Sequence, residues 1–581
     1  MKILSYAKRL PVAGNALLLT LIMCAIALMA VAGALSYAAT NARLTFRSNQ
    51  YSISVAAAEA ATEKVLTQMS ADYLSGGEAL VAANLSTYQG TYPMASDSSY
   101  WGGWEFTDAS GHKNQTYVQA GAVSNYMVLN SAYAGLKGYA TIYTVVSDAR
   151  QKSQPQDVTG AVMEQLQLAR VPVFQFMGYS MGDLEISCGQ PFTVLGRMHS
   201  NGQLYVEPDN VLTFQSDVTA VGNILFSRSP LDSRGAPAGS VVYQGRKDSH
   251  VAALTLPIGT TNTPTAVREI IQPPPLYESA TSSLGRVRYY NLADMLLIVT
   301  NAGTNFSVTG CSGNFNGFAT TIPTNEINLF VITTNKFYDW RESKTVKTIG
   351  LNIGILVLWS ATNNTLRTAL GGRDVGSIYV WDRRSLTATN LAAVRVFNGA
   401  QLPPRGLSVA THDPLYVWGT YNQPTAANLG TTNTSTSLPA SLVGDAITIL
   451  STNWTDANST ATLSSRGAKP TTVNAAILAG AVETVNGNYG GGMENFPRFL
   501  ESWGSDNAFT YNGSMVKMFP SLYATNTWGK TNVYDPPARN WAYDANFDNP
   551  AKLPPLTPSL QKVVRAQWAT LAPNQTAVVA H

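Results

Sequence analysis

Residues 10–42 read LPVAGNALLLTLIMCAIALMAVAGALSYAATNA, thirty-three positions without a charge. Drawn out as a helix at ~1.5 Å per residue, the run is about 50 Å long against a hydrocarbon layer of ~30 Å, so it is long enough to cross a membrane. Leu17, Leu18, Leu19, Leu21, Ile22, Ile26, Leu28, Val31 and Leu35 supply its apolar surface. Lys2, Lys8 and Arg9 precede it, which keeps the N-terminus cytoplasmic and sends the remaining chain outward, while Arg43 and Arg47 dilute that asymmetry. A cleaved secretory signal competes with this reading, because Ala32, Ala34 and Ala38 offer small residues to a signal peptidase. Against it, the run is long for a signal core and the helical pattern does not stop there.

The continuation, ARLTFRSNQYSISVAAAEAATEKVLTQMSADYL, places Leu44, Ile53, Val55, Ala58, Ala61, Val65, Leu66 and Met69 at mixed spacings of three and four. Arg47, Glu59, Glu63 and Lys64 fall between them, the mark of an amphipathic helix, and Gly76-Gly77 is its expected stop. The pattern predicts one rod over residues 15–78, greasy first and two-faced later.

Such a rod resembles the stem of type IV pilins and pseudopilins. KRLPVAG followed by NALLLTLIM is similar to their prepilin-peptidase region, with Gly14 before the cut and Asn15 after it. The sequence departs from the major pilins at two positions. Leu19 stands where they carry a glutamate, and Asn15 replaces the usual methionine or phenylalanine. An unpaired charge in hydrocarbon is costly, which gives that glutamate its sense beside a neighbouring subunit's amino terminus. PilX-type minor pilins and tip pseudopilins also lack it, so the resemblance implies a minor or terminal subunit. It further implies the inner membrane, other pilin-like subunits, the pilus or secretion assembly machinery and a prepilin peptidase as partners.

Residues 79–180 mix loops with strand-like runs such as LKGYATIYTVVSDAR and read as an α+β connecting region. From Leu184 the text turns to short alternating strands broken by Gly and Asn. Phe192, Val194, Leu204, Val206, Leu212, Phe214, Val218, Ile224 and Phe226 are expected to point inward. Similar pieces recur as AGSVVYQG, ADMLLIVTNAG, GDAITILSTNW and FTYNGSMVKMF. The expected fold is mainly β with a long N-terminal helix: a parallel β-helix or solenoid-like head over 181–525, a β-sandwich being the alternative. No strict repeat length emerges. NKFYDWRESKTVKTIG is read as a small helix or loop docked by ion pairs, and GGMENFPRFLESW as a segment closing one end. The region from 526 to 581, with Pro536-Pro537 and Pro554-Pro555, is read as an extended tail whose LQKVVRAQWATLA finishes as a short helix. Runs such as FYDWRESKTV, LSVATHDPLYVWGTYN and YDPPARNWAYDANF look like those of large PilX-type pilin-like proteins, a family with no catalytic motif to carry over.

Lys+Arg 38 against Asp+Glu 35 leaves a net charge of +3, too small to coat a phosphate backbone, so nucleic acid is not an expected partner. Charged residues are 13% of the chain, so uncharged polar groups must wet its surface. Of three cysteines, Cys24 lies in the apolar run, leaving Cys188 and Cys311 as a possible disulfide if they meet in an oxidising compartment. His112, His199, His250, His412 and His581 stand apart from one another at no metal-ligand spacing, and no nucleotide or serine-hydrolase signature occurs. No metal, cofactor or catalytic residue is therefore expected.

The sequence supports a membrane-anchored structural subunit, single-pass, with its bulk periplasmic or at the cell surface. Two alternatives stand beside it. One is a carbohydrate-active enzyme using paired acids, Asp339 with Glu342, Glu494 with Glu501, or Asp544 with Asp548; the null for each is a structural acid. The other is a glycan-binding adhesin using aromatics such as Trp340, Trp381, Trp418 and Trp528, with burial in the core as the favoured fate.

Overall fold

The computed structural model describes residues 15–121, 125–129, 135–154, 157–302, 305–313, 319–485, 487–529 and 531–577, with backbone only over 301–321. A long N-terminal helix leads into a large sheet-rich domain.

The helix Asn15–Ala83 is interrupted at Gly77, one position into the Gly-Gly pair expected to end it. Residues 15–49 are exposed throughout, and from Gln50 onward one face is covered. That face carries Ser54, Ala57, Ala58, Ala61, Thr62, Val65, Leu66, Met69 and Tyr73, the three-and-four spacing of a stripe turned to a partner. Its small residues let the helix lie close on the strand Thr159–Pro172. There a Cβ on Gly160 would stand 2.4 Å from the Val55 nitrogen, so only glycine admits the contact. The Ser54 hydroxyl donates to the Val158 carbonyl (3.1 Å), Thr62 to Glu164 Oε1 (2.6 Å) and Tyr73 to the Ala169 carbonyl (2.9 Å).

Beneath the helix lies an antiparallel sheet. Its long strands Lys137–Gln151, Thr159–Pro172 and Ser559–Leu571 run side by side, and the short strands Trp104–Thr107, Tyr117–Ala120 and Asn125–Val128 share the outer edge of the first. The segment LQKVVRAQWATLA is thus a strand rather than a helix, and the region from 526 is not an extended tail. It also supplies Ala538–Tyr543, paired in parallel with Ala508–Gly513. The reason is alternation: Leu560 and Val564 are buried in one cluster while Val563 packs against another on the opposite face.

The chain enters the head at Phe176–Ser180 and winds through three-strand turns. Leu184–Ile186, Phe192–Val194 and Arg197–Ser200 are stacked on Leu204–Val206, Val211–Phe214 and Val218–Ala220. All pairs are parallel. Leu184 faces Leu204 and Leu204 faces Ile224, so one winding takes twenty residues. The period lies in the sequence, LEISCGQPFTVLGRMHSNGQ above LYVEPDNVLTFQSDVTAVGN, where the expectation of no strict repeat length fails over these two windings. Eight of the nine residues expected inside are buried; Phe226 lies exposed beyond the last paired residue of its strand.

Residues 251–294 then cross the outer face of the twelve-stranded sheet, packing Leu254, Leu256, Val267, Ile271 and Tyr289 against Tyr179, Tyr379, Val443 and Val516. From Met295–Ala302 a second stack winds back in parallel register until Met515–Pro520 pairs with Phe176–Ser180. The two stacks therefore meet in the middle of one sheet, and a single core cluster runs through both. Stacking like residues satisfies buried polar groups in rows: Ser441 donates to Ser408 (2.7 Å), and Asn512 Nδ2 to Asn474 Oδ1 (2.8 Å). Short helices at Thr324–Phe330, Ile353–Thr362 and Asn364–Ala369 pack Phe330, Leu356, Trp359 and Leu366 onto the core beside the strand Lys344–Asn352. GGMENFPRFLESW closes no end. Its strand Pro497–Phe499 pairs with Ile447–Leu450 inside the stack, because Phe499, Leu500 and Trp503 are all drawn into the interior.

Candidate functional site

Two features stand out, the bare half of the stem helix and the place where the stacks meet. Every residue named for the apolar span lies on the bare half: exposure runs from 48% at Ile22 to 75% at Leu17, and Leu18, Leu19, Leu21, Ile26, Leu28, Val31 and Leu35 are likewise left exposed by the described residues. Its most apolar eighteen-residue window has a mean hydropathy of 2.6 and no buried residue. Asn15 is the first helical residue; Gly14 lies outside the described residues. An apolar surface this large on a soluble protein would be covered by a partner or by lipid.

The packed half ties this rod to the head by charge as well as by shape. Arg565, on the strand Ser559–Leu571, holds Glu63 of the helix through a two-pronged pair, with the second prong at 2.6 Å, and reaches Glu164 at 3.7 Å. Lys64 pairs with Asp97 at 2.5 Å. Asp72 accepts from Asn84 (2.9 Å) and from the Tyr88 hydroxyl (2.6 Å).

The paired acids are engaged in holding the fold. Asp339 Oδ2 accepts from the Tyr416 hydroxyl (2.7 Å) and Oδ1 from the Glu342 amide (2.9 Å). Glu342 pairs with Arg498 at 2.8 Å. This segment is a hairpin, Lys336–Asp339 against Lys344–Asn352, docked by ion pairs as expected though not as a helix. Glu494 accepts from the Tyr489 hydroxyl and the Ser187 amide, whereas Glu501 accepts from the Ser451 hydroxyl and amide. Burial raises the Glu494 carboxyl and pushes that of Glu501 up to about 7. Asp544 accepts from Thr434 (2.9 Å) and the Asn546 amide, and Asp548 from the Tyr543 hydroxyl (3.0 Å).

Among the described residues no three His, Cys, Asp or Glu side chains cluster to hold a metal ion. His199 is buried between Thr219 Oγ1 (2.8 Å) and Asn201 Oδ1 (2.9 Å), stacked on Tyr179, and burial lowers it to about 4. Cys188 is buried, and burial pushes its thiol up to about 12. The Cys311 side chain, and with it the possible disulfide, lies outside the described residues. Trp359, Trp454, Trp503 and Trp541 are buried, and Trp340, Trp381, Trp418 and Trp528 half-buried.

Where Phe176–Ser180 meets Met515–Pro520, a cavity of about 200 Å³ opens beneath the loop carrying Ser229 and Leu231. Residues from 480–484 and 490–498 form its other wall. Beside it Glu207 is fully buried, 3.3 Å from Arg234, and burial together with the nearby Glu185 pushes it up to about 8. Arg234 lies over the Tyr489 ring at 3.6 Å. No single stretch of sequence announces this cavity, whose lining comes from five separate segments.

No family model matches the sequence, and no curated protein matches it. Among solved structures the chain is similar to the competence-associated pilin ComZ from Thermus thermophilus, at 10% identity and a TM-score of 0.30, over 78% of this chain and 87% of that one. So shallow a likeness lends nothing to the functional reading, which rests on the stem helix and the head it carries.

Proposed function

We propose that this chain is a membrane-anchored, pilin-like structural subunit of the PilX type. In this reading its bare helix enters the inner membrane or a filament's helical bundle, and its head projects outward as a stiff β-solenoid. The observation that supports it is the continuity of one rod, uncovered over residues 15–49 and pinned to a sheet from Gln50 onward. A removable signal has no reason to run without a break into the core of the mature domain. Parallel registers over most of the twelve-stranded sheet support the solenoid, because each winding then pairs its backbone with the next one along the stack. The subunit acts by holding and presenting, without catalysis; that each paired acid has a structural partner supports this. Its partners are other pilin-like subunits, their assembly machinery and a prepilin peptidase cutting after Gly14.

The deciding experiment is the mature N-terminus by intact mass. A start at Asn15 is the expected result. A start near Ala38 to Asn41 would mean a secreted protein, and an uncut chain a plain single-span anchor. Deleting the gene and imaging surface filaments tests the assembly role.

A further inference from the structure

One loop of the head turns its apolar residues outward. Between Ile271 and Tyr289, both buried in the core, the chain reverses over residues 275–278, where the Glu278 amide donates to the Pro275 carbonyl at 3.0 Å. At the tip of this turn Leu276 and Tyr277 are 87% and 95% exposed, more than any other large apolar side chain among the described residues, those of the bare helix included. Both legs of the turn are held. Pro273, Pro274 and Pro275 fix three φ angles of the leading leg. Arg288, 1% exposed, ties it to the trailing one, donating to the Gln272 carbonyl (3.2 Å), to Glu269 Oε2 (2.9 Å) and to Glu278 Oε2 (2.8 Å). The tip is thus a stiff knob, and a partner that covers it gains the burial of two large side chains without first ordering the loop. The exposed Arg286 stands beside the trailing leg, since a Cβ on the preceding Gly285 would lie 2.2 Å from the Ser279 carbonyl.

The junction cavity has the complementary form. Its volume of about 200 Å³ falls below the ~300–1,000 Å³ of clefts for drug-sized ligands and leaves room for one ring. Met493, Phe496 and Val482 give it apolar flanks, and Leu231, in the loop above it, is 47% exposed. Asp183 and Glu483 are the exposed acids of its lining, so carboxylates stand where it meets solvent. A phenol asks for no donor from the cavity: it gives its own hydrogen bond and needs an acceptor. We propose that Tyr277 of one copy enters the junction cavity of a second copy, its ring among the apolar flanks and its hydroxyl donating to Glu483, with Leu276 laid on Leu231 and Arg286 toward Asp183. Knob and cavity lie at different places on one chain, so the contact is heterologous and repeats from copy to copy instead of closing as a two-fold pair. It goes beyond the pilin-like reading, since it rests on the head alone.

The test places one full chain in each lipid nanodisc, so that only heads can meet, and follows association by sedimentation velocity. The expected result is growth beyond pairs as concentration rises. Tyr277→Ser, and Ala481→Trp, which fills the cavity from its wall, should each weaken association about tenfold or more, the effect of losing a buried interfacial aromatic. Mixing the two variants should restore pairs and nothing larger, because one retains the cavity and the other the knob. Where Ala481→Trp does not fold, benzoylphenylalanine in place of Tyr277 decides: in an irradiated mixture of isotope-labelled and unlabelled chains, position 277 of one copy should link to residues 480–484 or 490–498 of another. No association of the unsubstituted chain at any attainable concentration, association unmoved by Tyr277→Ser, a folded mixture that does not pair, or a link from position 277 to other residues would each overturn the proposal. None of these outcomes bears on the N-terminal mass, so failure here is distinct from failure of the pilin-like reading.

Discussion

The two stacks solve one problem with different economy of chain. In the first, Leu184, Leu204 and Ile224 follow one another at twenty residues. In the second, Ser377 faces Ser408, Ser408 faces Ser441 and Ser441 faces Ala476, so the winding lengthens from thirty-one to thirty-three to thirty-five residues. The inward rows are alike in both, apolar and fully buried. The added residues go into loops and hairpins outside the stacked strands, and these carry Glu342 of a buried ion pair and one wall of the cavity, while the Ser408–Ser441 and Asn474–Asn512 rows lie in the strands themselves. A stacked array thus tolerates insertion wherever its inward row is untouched, and features accumulate where the windings are longest.

The largest effect expected from breaking this contrast is in the second stack. Glu342→Ala strands the buried Arg498 guanidinium and should cost about 3–5 kcal/mol in denaturant unfolding of the full chain. Leu204→Ala and Leu442→Ala each remove a fully buried leucine, one from a strand of each stack, at about 2–5 kcal/mol apiece. Hydrogen exchange should show loss of protection around each site first, and uniform loss along both stacks would contradict the nearest-neighbour picture. Asn474→Ala removes the bond its Nδ2 donates to the Asn422 carbonyl and the one its Oδ1 accepts from Asn512, and should cost about 1–3 kcal/mol by the same unfolding assay.

Protonation sharpens the comparison further. Glu501 titrates near 7 in the folded chain against an ordinary value near 4.5, so the folded state holds its proton more tightly. Its stabilising contribution is complete below about pH 4.5 and is lost as pH rises through about 7, up to roughly 3 kcal/mol. Glu501→Gln should flatten that decline. Glu207 acts in the same sense in the first stack. His199 opposes it, losing its contribution as pH falls from about 6.5 through about 4. Smallest of all, Phe226→Ala should change stability by no more than about 0.5 kcal/mol, since that ring is 55% exposed.

The stem was legible because its signals are local: an uncharged run, then a three-and-four stripe ended by glycines. The inward rows of the first stack were legible too, through alternation at Phe192, Val194, Leu204 and Val206. Its period escaped notice because it holds for barely two windings. Between Phe214 and its partner Tyr243 the spacing has already grown to twenty-nine. The last sheet strand was mistaken for tail and helix because the prolines before it suggested extended chain, while its true partner, Thr159–Pro172, lies almost four hundred residues earlier. The cavity gave no signal beyond the glycines around Tyr489. Its charged residues, Asp183, Glu185, Arg341, Glu483, Arg498 and Lys517, are gathered only by the meeting of the stacks.

That pairing of Ser559–Leu571 with Thr159–Pro172 sets an order of events during synthesis. The stem sheet waits, one member short, while some four hundred residues of head are made, and Glu63 has no Arg565 to grip until they are. A chain truncated anywhere in the head would therefore be left with a loosened base, Val162 to Val171 lacking their neighbour, and offer quality-control proteases a frayed strand. Completion of the far projection is in this way certified at the root.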